Sequence, residues 1–276
     1  MTKDDVRAYY AAFAEREWHR LTNPDDGAIE FALTCSMLER HLPSSGRVLD
    51  VGGGPGRYTI WLAQHAYQVV LADLSPTLLE IAQIHIADAG VSQQVEAIVE
   101  ADACDLTHWP DASFDAVVCL GPFYHLPDTH DRDRAACELV RVLRPSGVAF
   151  IALMPRYTLL RRTLAIPDER KHLANPAWVA SLMERGIFNN SIAGRFTHGY
   201  GAEPTEIAPF FHQHGLEQVT LLAAEGITGG IQTAVMEALQ AESALGQSLL
   251  DLLIQTADDP AILGLANHLL YIGQRM

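Results

Sequence analysis

Asp50-x-Gly52-x-Gly54-x-Gly56, with Gly53 inside it, is the densest glycine run in the chain. Glycines at such a turn let the backbone approach a ligand closely, because no Cβ intervenes. The spacing is not the G-x-G-x-x-G of dinucleotide sites, since Arg57 stands where the third glycine belongs. No G-x-x-x-x-G-K-[ST] run occurs either, which excludes a P-loop. Asp50 at the mouth of the loop would repel a pyrophosphate and suits a ligand carrying positive charge. Further along stands Asp73, followed by Leu74. A carboxylate there can accept hydrogen bonds from both hydroxyls of a ribose, and charge-assisted bonds of this kind are worth about 1.5–3 kcal/mol each. Asp102, next to Ala103, can accept from the exocyclic amine of an adenine, and Asp105 offers similar chemistry nearby. The run from Leu120 to His125 ends on two side chains suited to proton handling, Tyr124 and His125.

The elements that must position these residues follow from apolar periodicity and caps. Helices are expected over 4–21 and 28–42. Then the pattern changes to short apolar runs alternating with helices, with strands at 47–51, 68–72, 95–100, 114–120 and 148–154. Between them Ser75 is an N-cap with Pro76 at the first helical position, and Gly90 closes that helix. Such alternation means a parallel sheet with helices on both faces, whose ligands bind at the carboxyl ends of the strands. The glycine loop, Asp73, Asp102 and the 121–125 segment all fall at those ends. After 154 the rhythm stops. Residues 156–200 contain mixed helical pieces, one starting at Asn175-Pro176 and stopping at Gly186, and form an insertion over the open end of the sheet. A helix over 204–215, a strand at 216–224, helical sequence over 229–256 and a strand at 268–274 complete a seven-stranded sheet.

A ligand with a cationic amino-acid end, a ribose and an adenine but no phosphate is S-adenosylmethionine. Val48-Leu49-Asp50-Val51-Gly52-Gly53-Gly54-Pro55-Gly56 resembles the first motif of the class I S-adenosylmethionine-dependent methyltransferases. Asp73-Leu74-Ser75-Pro76 is similar to that family's ribose-binding strand end, and Asp102-Ala103 to its adenine-contacting pair. Phe114-Asp115-Ala116-Val117-Val118, with Leu120-Gly121-Pro122-Phe123-Tyr124-His125-Leu126, is similar to its fourth motif. Arg141-Val142-Leu143-Arg144-Pro145-Ser146-Gly147 resembles the turn before strand five, with Ser146 where a second glycine is usual. These motifs cover residues 48–154. The Tyr-rich first helix and His268-Leu269-Leu270-Tyr271 resemble a small-molecule branch more loosely.

The resemblance implies an α/β, Rossmann-like, mostly parallel seven-stranded sheet with helices on both faces and a helical cap insertion. It implies one domain over 1–276: N-terminal helices covering the cofactor (1–46), a cofactor-binding core (47–154), the cap (156–200), and C-terminal helices with the last two strands (204–276). The cofactor contacts it implies are Tyr10, Asp50, Gly52, Gly53, Gly54, Asp73, Leu74, Asp102, Ala103 and Leu120. The activity it implies is in-line transfer of the sulfonium methyl to an oxygen or nitrogen of a small molecule. Alignment and exclusion of water do most of that work, and a positioned base helps when the nucleophile holds its proton tightly. His125 is the first candidate for that base; the alternative is a histidine that orients the cofactor or packs. Tyr9, Tyr10 and Tyr124 line the methyl channel, touch the cofactor's amino-acid end, or pack in the core. His198 and Tyr200, where the insertion returns, face the substrate or stand in solvent as loop residues, the more common case.

Other features narrow the class. The chain has 34 acidic and 19 basic residues, a formal net charge of −15, which opposes a nucleic-acid or anionic-membrane partner. The stretch after strand four is Leu-Gly-Pro-Phe, not the Asn-Pro-Pro-Tyr that accompanies methylation of base or amide nitrogens in the family. No carboxylate–histidine grouping at ligand spacing suggests a metal-dependent mechanism. The insertion is net basic, with Arg156, Arg161, Arg162, Arg170, Lys171, Arg185 and Arg195 against Asp168, Glu169 and Glu184. It is a cap for an acidic or electron-rich molecule, a basic lid on an acidic body, or a solvated face. Met1-Thr2-Lys3-Asp4-Asp5 is not a signal peptide, and the longest apolar run, 148–154, is far short of the ~20 residues of a membrane helix. Cys35, Cys104, Cys119 and Cys137 form no C-x-x-C and are expected to be buried thiols in a reducing cytoplasm. An S-adenosylmethionine-binding protein that senses the cofactor or uses it for another reaction, and a nicotinamide oxidoreductase, are the rival readings.

Overall fold

The computed structural model describes residues 3–23, 27–190, 192, 196, 198–229, 231–240 and 244–276. Helices α1 (Lys3–Ala12), α2 (Ala14–Arg20) and α3 (Ala28–His41) precede β1 (Arg47–Val51). There follow α4 (Arg57–Gln64), β2 (Gln68–Asp73), α5 (Pro76–Asp88), β3 (Val95–Glu100) and β4 (Phe114–Cys119). Next come α6 (Thr129–Val142), β5 (Leu143–Pro155), α7 (Arg156–Ala165), α8 (Pro176–Arg185), β6 (Ile187–Asn189) and β7 (His198–Ala202). The chain closes with α9 (Pro204–Gln213), β8 (Leu216–Ala223), α10 (Gln232–Gln240), α11 (Ala244–Thr256), α12 (Pro260–Leu263) and β9 (Leu269–Arg275).

β1 sits in the middle of the sheet, paired in parallel with β2 and β4. β3 extends the parallel sheet beyond β2, and β5 beyond β4. β9 then runs antiparallel to β5, and β8 antiparallel to β9. The strand sequences explain this arrangement. Val48, Leu49 and Val51 are at most 1% exposed, so β1 is apolar on both faces, as central parallel strands are. Alternate residues feed two separate cores. Val48, Val69, Leu71 and Phe150 pack with Leu33, Leu62 and Ile86 from α3, α4 and α5. Leu49, Val70, Val117 and Ile151 pack with Leu139, Phe211 and Leu263 from α6, α9 and α12.

The seven expected strands are present, but the sheet has nine. The additional pair comes from the segment expected to be helical. β6 and β7 form an antiparallel hairpin, and β7 joins the end of β5 in parallel through Met154–Gly201 and Pro155–Ala202. His-Gly-Tyr-Gly-Ala carries no strand periodicity; it is a strand because its backbone must pass close to β5. A Cβ at Gly201 would stand 2.7 Å from Arg156 Cα, so only glycine permits the approach. Under the hairpin lies a third apolar cluster of Leu159, Leu182, Phe188 and Phe196 with Tyr124 and Ala152. The expected caps of α8 are in place: Asn175 accepts from the backbone N–H groups of Ala177 and Trp178, and Gly186 is left-handed.

The N-terminal helix also differs from expectation. It breaks at Phe13, whose φ of −121° and ψ of 20° leave the helical range. Cys35, Cys104 and Cys119 are buried free thiols, whereas Cys137 is exposed on α6. Among the described residues no helix is long and apolar enough to cross a membrane.

Candidate active site

A cavity of about 590 Å³ opens at the carboxyl ends of β1 to β4. Its floor is the glycine loop. The backbone N–H groups of Gly52 and Gly53 both bond the Ala72 carbonyl, at 2.7 and 3.3 Å, which ties the loop to the end of β2. Gly52 has a φ of +69°, and a Cβ there would stand 2.7 Å from the Pro122 ring. The position therefore requires glycine on two counts, conformation and space.

Asp73 closes β2, 8% exposed. One carboxyl oxygen accepts from Gly54 N at 2.8 Å and the other from Ser75 N at 2.8 Å. Burial raises its pKa to about 6 against those backbone bonds. Asp50 is buried behind the loop, accepts from Thr59 Oγ1 at 2.7 Å, and is pushed up to about 7, again by burial. Asp102 accepts from Cys104 N at 2.9 Å beyond β3. This donor set fits S-adenosylmethionine. A cationic ligand would draw the two elevated carboxyls back to their charged form, and each Asp73 oxygen keeps a second acceptor site for a hydroxyl.

After β4, Pro122–His125 forms one short 3₁₀ turn. Fully buried Phe123 anchors it between Phe210 and Phe211, which fixes its two neighbours over the cavity. The Tyr124 hydroxyl donates to the Leu120 carbonyl at 3.2 Å. His125 packs between Tyr124 and Phe196, with ring centroids 4.9 and 5.1 Å away. Burial lowers its pKa to about 4, so the ring is neutral at physiological pH.

The N-terminal helices roof the cavity. Arg7 in α1 donates to the Leu74 carbonyl at 2.9 Å and pairs with Glu100 at 2.5 Å. One turn on, the Tyr10 hydroxyl lies 2.6 Å from His125 Nε2. In α2, Trp18 stacks on His85 at 3.5 Å, and the Arg57 guanidinium lies 3.4 Å over the Trp18 ring. Arg20 lines the cavity and bonds Glu30 at 2.7 Å and Glu17 at 3.1 Å. Behind it, His268 Nδ1 lies 3.0 Å from Glu225 and 3.4 Å from Glu30. Burial alone would lower the His268 pKa, but the two carboxylates outweigh it and raise it. Glu30, Glu225 and His268 have the donor types of a metal site. Glu30 and Glu225 each face a cationic side chain, Glu30 shares Arg20 with Glu17, and His268 bridges Glu30 and Glu225, an ion-pair network.

The expected cofactor contacts and the Tyr124–His125 pair all line this cavity: Tyr10, Asp50, Gly52, Gly53, Gly54, Asp73, Leu74, Asp102, Ala103, Leu120, Tyr124 and His125. Tyr9 is outside the lining and packs edge-on to Tyr10 and against Phe13. His198, weighed more heavily as a solvated residue, lines the cavity on β7, with Nδ1 buried. Tyr200 does not line it; its ring lies under the Arg132 guanidinium, 3.7 Å away. Of the basic insertion residues, Arg156 pairs with Glu203, Arg162 with buried Glu169, and Arg195 lies outside the described residues. None of those with a described position lines the cavity. Sequence reasoning missed Arg7, Glu17, Arg20 and Asn189 as lining groups. Arg7 lies one turn before Tyr10 on α1, a spacing the sequence shows, whereas Arg20 reaches the cavity from α2 beyond the break at Phe13.

Known proteins bear on this geometry. Residues 49–151 match a family model described as a methyltransferase domain. A ubiquinone biosynthesis O-methyltransferase of Xanthomonas axonopodis pv. citri is 32% identical over 219 residues, covering 75% of this chain and 78% of its own length. Among solved structures, an S-adenosylmethionine-dependent methyltransferase from Methanosarcina mazei superposes with a TM-score of 0.59 at 17% identity, covering 87% of this chain and 97% of that one. The 1,6-didemethyltoxoflavin-N1-methyltransferase of Burkholderia thailandensis, solved with 1,6-didemethyltoxoflavin and S-adenosylhomocysteine, gives a TM-score of 0.59 at 14% identity, covering 98% of this chain and 87% of that one. At these identities the two structures bear on the fold alone.

Proposed function

Because the chain belongs to the class I S-adenosylmethionine-dependent methyltransferases, we propose that it methylates an oxygen of a small molecule. When bound, S-adenosylmethionine supplies the methyl group on a sulfonium leaving group. The observation that carries the reading is the single cavity shared by the glycine loop, the three strand-end carboxylates and the Tyr124–His125 turn. Asp73 binds the ribose hydroxyls, Asp102 and Ala103 meet the adenine, and Leu74 lines its ribose side. Asp50 sets the electrostatics for the cationic end, and Gly52, Gly53, Gly54 and Leu120 form the wall along the amino-acid end. Tyr10 closes the site from above, and Tyr124 and His125 meet the acceptor.

Oxygen is preferred to nitrogen because the sequence relative is an O-methyltransferase. A cavity roofed by the N-terminal helices and a net charge of −15 support a small acceptor over nucleic acid. The division of labour proposed along the chain is roof at 1–46, cofactor core at 47–154 and acceptor wall at 156–200, in one cytoplasmic domain. Incubating the protein with S-adenosylmethionine and a small-molecule extract of its source tests this by mass spectrometry. S-adenosylhomocysteine together with a new methyl ether is the expected result. A new N-methyl product would overturn the oxygen assignment, and tight S-adenosylhomocysteine binding with no methylated species would favour a non-transfer role for the fold.

A further inference from the structure

We propose that Tyr10 is a positioning residue that holds His125 as the neutral tautomer protonated at Nδ1, so that the ring meets the acceptor as a hydrogen-bond donor to an oxygen anion and not as the base that removes its proton. This rests on the reading of the cavity as the transfer site, and it reverses the base role expected of His125.

Tyr10 Oη and His125 Nε2 are 2.6 Å apart, so one of the two carries the shared proton. Burial raises the Tyr10 pKa well above that of an ordinary phenol, and the hydroxyl keeps its hydrogen. Among the described residues the hydroxyl's only hydrogen-bond partner is Nε2. Were Nε2 protonated it would donate to the Tyr10 oxygen, the Tyr10 hydrogen would turn to where no described residue accepts it, and Nδ1 would be a second unpaired atom; with Tyr10 as donor only Nδ1 is unpaired. Tyr10 therefore donates, and Nε2 is the lone-pair nitrogen. Among the described residues no carboxylate bonds the ring, which packs with Tyr10, Tyr124 and Phe196. A neutral ring accepting at Nε2 carries its hydrogen on Nδ1.

Nδ1 is buried and has no partner among the described residues. A buried donor left alone is costly, and a ligand acceptor beside this cavity wall removes that cost. A nitrogen that already bears hydrogen cannot take the acceptor's proton. The other nitrogen is occupied by Tyr10 for as long as α1 roofs the site. The acceptor hydroxyl thus enters deprotonated, its proton having left to solvent. Its lone pair forms the O–C bond while the C–S bonding pair remains with sulfur as a neutral thioether. The chemical class that satisfies this is an acidic hydroxyl, a phenol or enol, that ionises near neutral pH.

Proton–nitrogen correlation spectra of nitrogen-15 histidine-labelled protein with bound S-adenosylhomocysteine read the tautomer directly, whether or not methyl transfer is ever observed. The failure of this inference and the failure of the transferase reading are therefore distinguishable. The expected result is an Nδ1-protonated neutral His125 in the unaltered enzyme, converting to the Nε2-protonated form in Tyr10→Phe. An Nε2-protonated or cationic His125 in the unaltered enzyme overturns the proposal. So does a tautomer that Tyr10→Phe leaves in place, and if that variant fails to fold, the unaltered spectrum still decides. For the substrate half, 4-nitrophenol added to the same complex reports its ionisation by visible absorbance. Binding as the phenolate, weakened at least tenfold in His125→Ala, is expected. Binding as the neutral phenol, or no binding of either form at millimolar probe, overturns the acidic-hydroxyl assignment.

Discussion

Asp73 and His125 line the same cavity but are held in different ways. Asp73 is fixed by backbone N–H groups of its own strand end and of the loop on the neighbouring strand, Ser75 and Gly54. Its surroundings come from one β-α-β unit and from a sheet with helices on both faces. His125 is fixed by a tyrosine 115 positions away, on a helix outside the sheet, and by Phe196 from the insertion. The strand-end half of the cavity is rigid because its ligands are main chain or braced by main chain. The roofed half depends on side chains meeting across the molecule, each contact worth about 0.5–1.5 kcal/mol net. A cofactor needs a fixed cradle, whereas an acceptor must enter and leave, and the difference in construction matches that division.

If the strand-end half is as rigid as this, Gly52→Ala breaks it most severely. The left-handed φ and the collision with the Pro122 ring should together cost about 3 kcal/mol of stability. Chemical denaturation reads this as a lowered midpoint, and an unchanged midpoint would mean that the loop yields. His125→Ala probes the other half. Turnover should fall about 100-fold, the loss expected on removing one donor to an oxygen anion, with cofactor affinity held within about twofold. A parallel loss of cofactor affinity would erase the distinction between the two halves.

A smaller effect follows from pH. The raised folded-state pKa of Asp73, about 6 without ligand, means that it binds a proton more readily than in the unfolded chain. Its contribution to the stability of the ligand-free protein therefore falls as pH rises from about 4 through 6. Hydroxyl donors and a cationic ligand favour the carboxylate, so cofactor binding releases protons there. Through Asp73 alone affinity should be about tenfold weaker at pH 5 than at pH 7, and the raised pKa of Asp50 adds to the loss, measured by calorimetry in buffers of different ionisation heat. Asp73→Ala should weaken binding by more than tenfold at pH 7, and affinity indifferent to both changes would remove the ribose role.

The smallest effect belongs to the clasp behind Arg20. The His268 pKa is raised, so its stabilising contribution is fully present below about pH 6.5 and is lost as pH rises through the folded value. His268→Gln should cost about 1 kcal/mol at pH 6 and less at pH 9. A pH-independent difference would show that the ring acts by packing alone.

The same contrast governs what could be read from the residues in order. β1, β3 and the start of α5 stand at the expected positions, because apolar runs, Ser75 as N-cap and Pro76 at the first turn act within a few residues. The glycine loop and its carboxylates are similarly local. The break at Phe13 was not visible, since residues on both sides favour helix and only the roofing contacts separate them. The β6–β7 hairpin was hidden because its strands are defined by nearness to β5, not by their own pattern. His198 carried no signal beyond its position near the return of the insertion.

By itself the sequence determined the α/β order, the strand ends that carry Asp50, Asp73 and Asp102, and a ligand with a ribose, an adenine and no phosphate. Those features rest on period, caps and glycine conformation, which neighbouring residues settle among themselves. Only the tertiary structure decided that Tyr10 bonds His125, that Glu30 meets His268, and that His198 joins the wall. Such contacts require atoms about 3 Å apart from segments more than a hundred residues distant. Their positions depend on every turn and packing choice between them, and no local pattern encodes that sum.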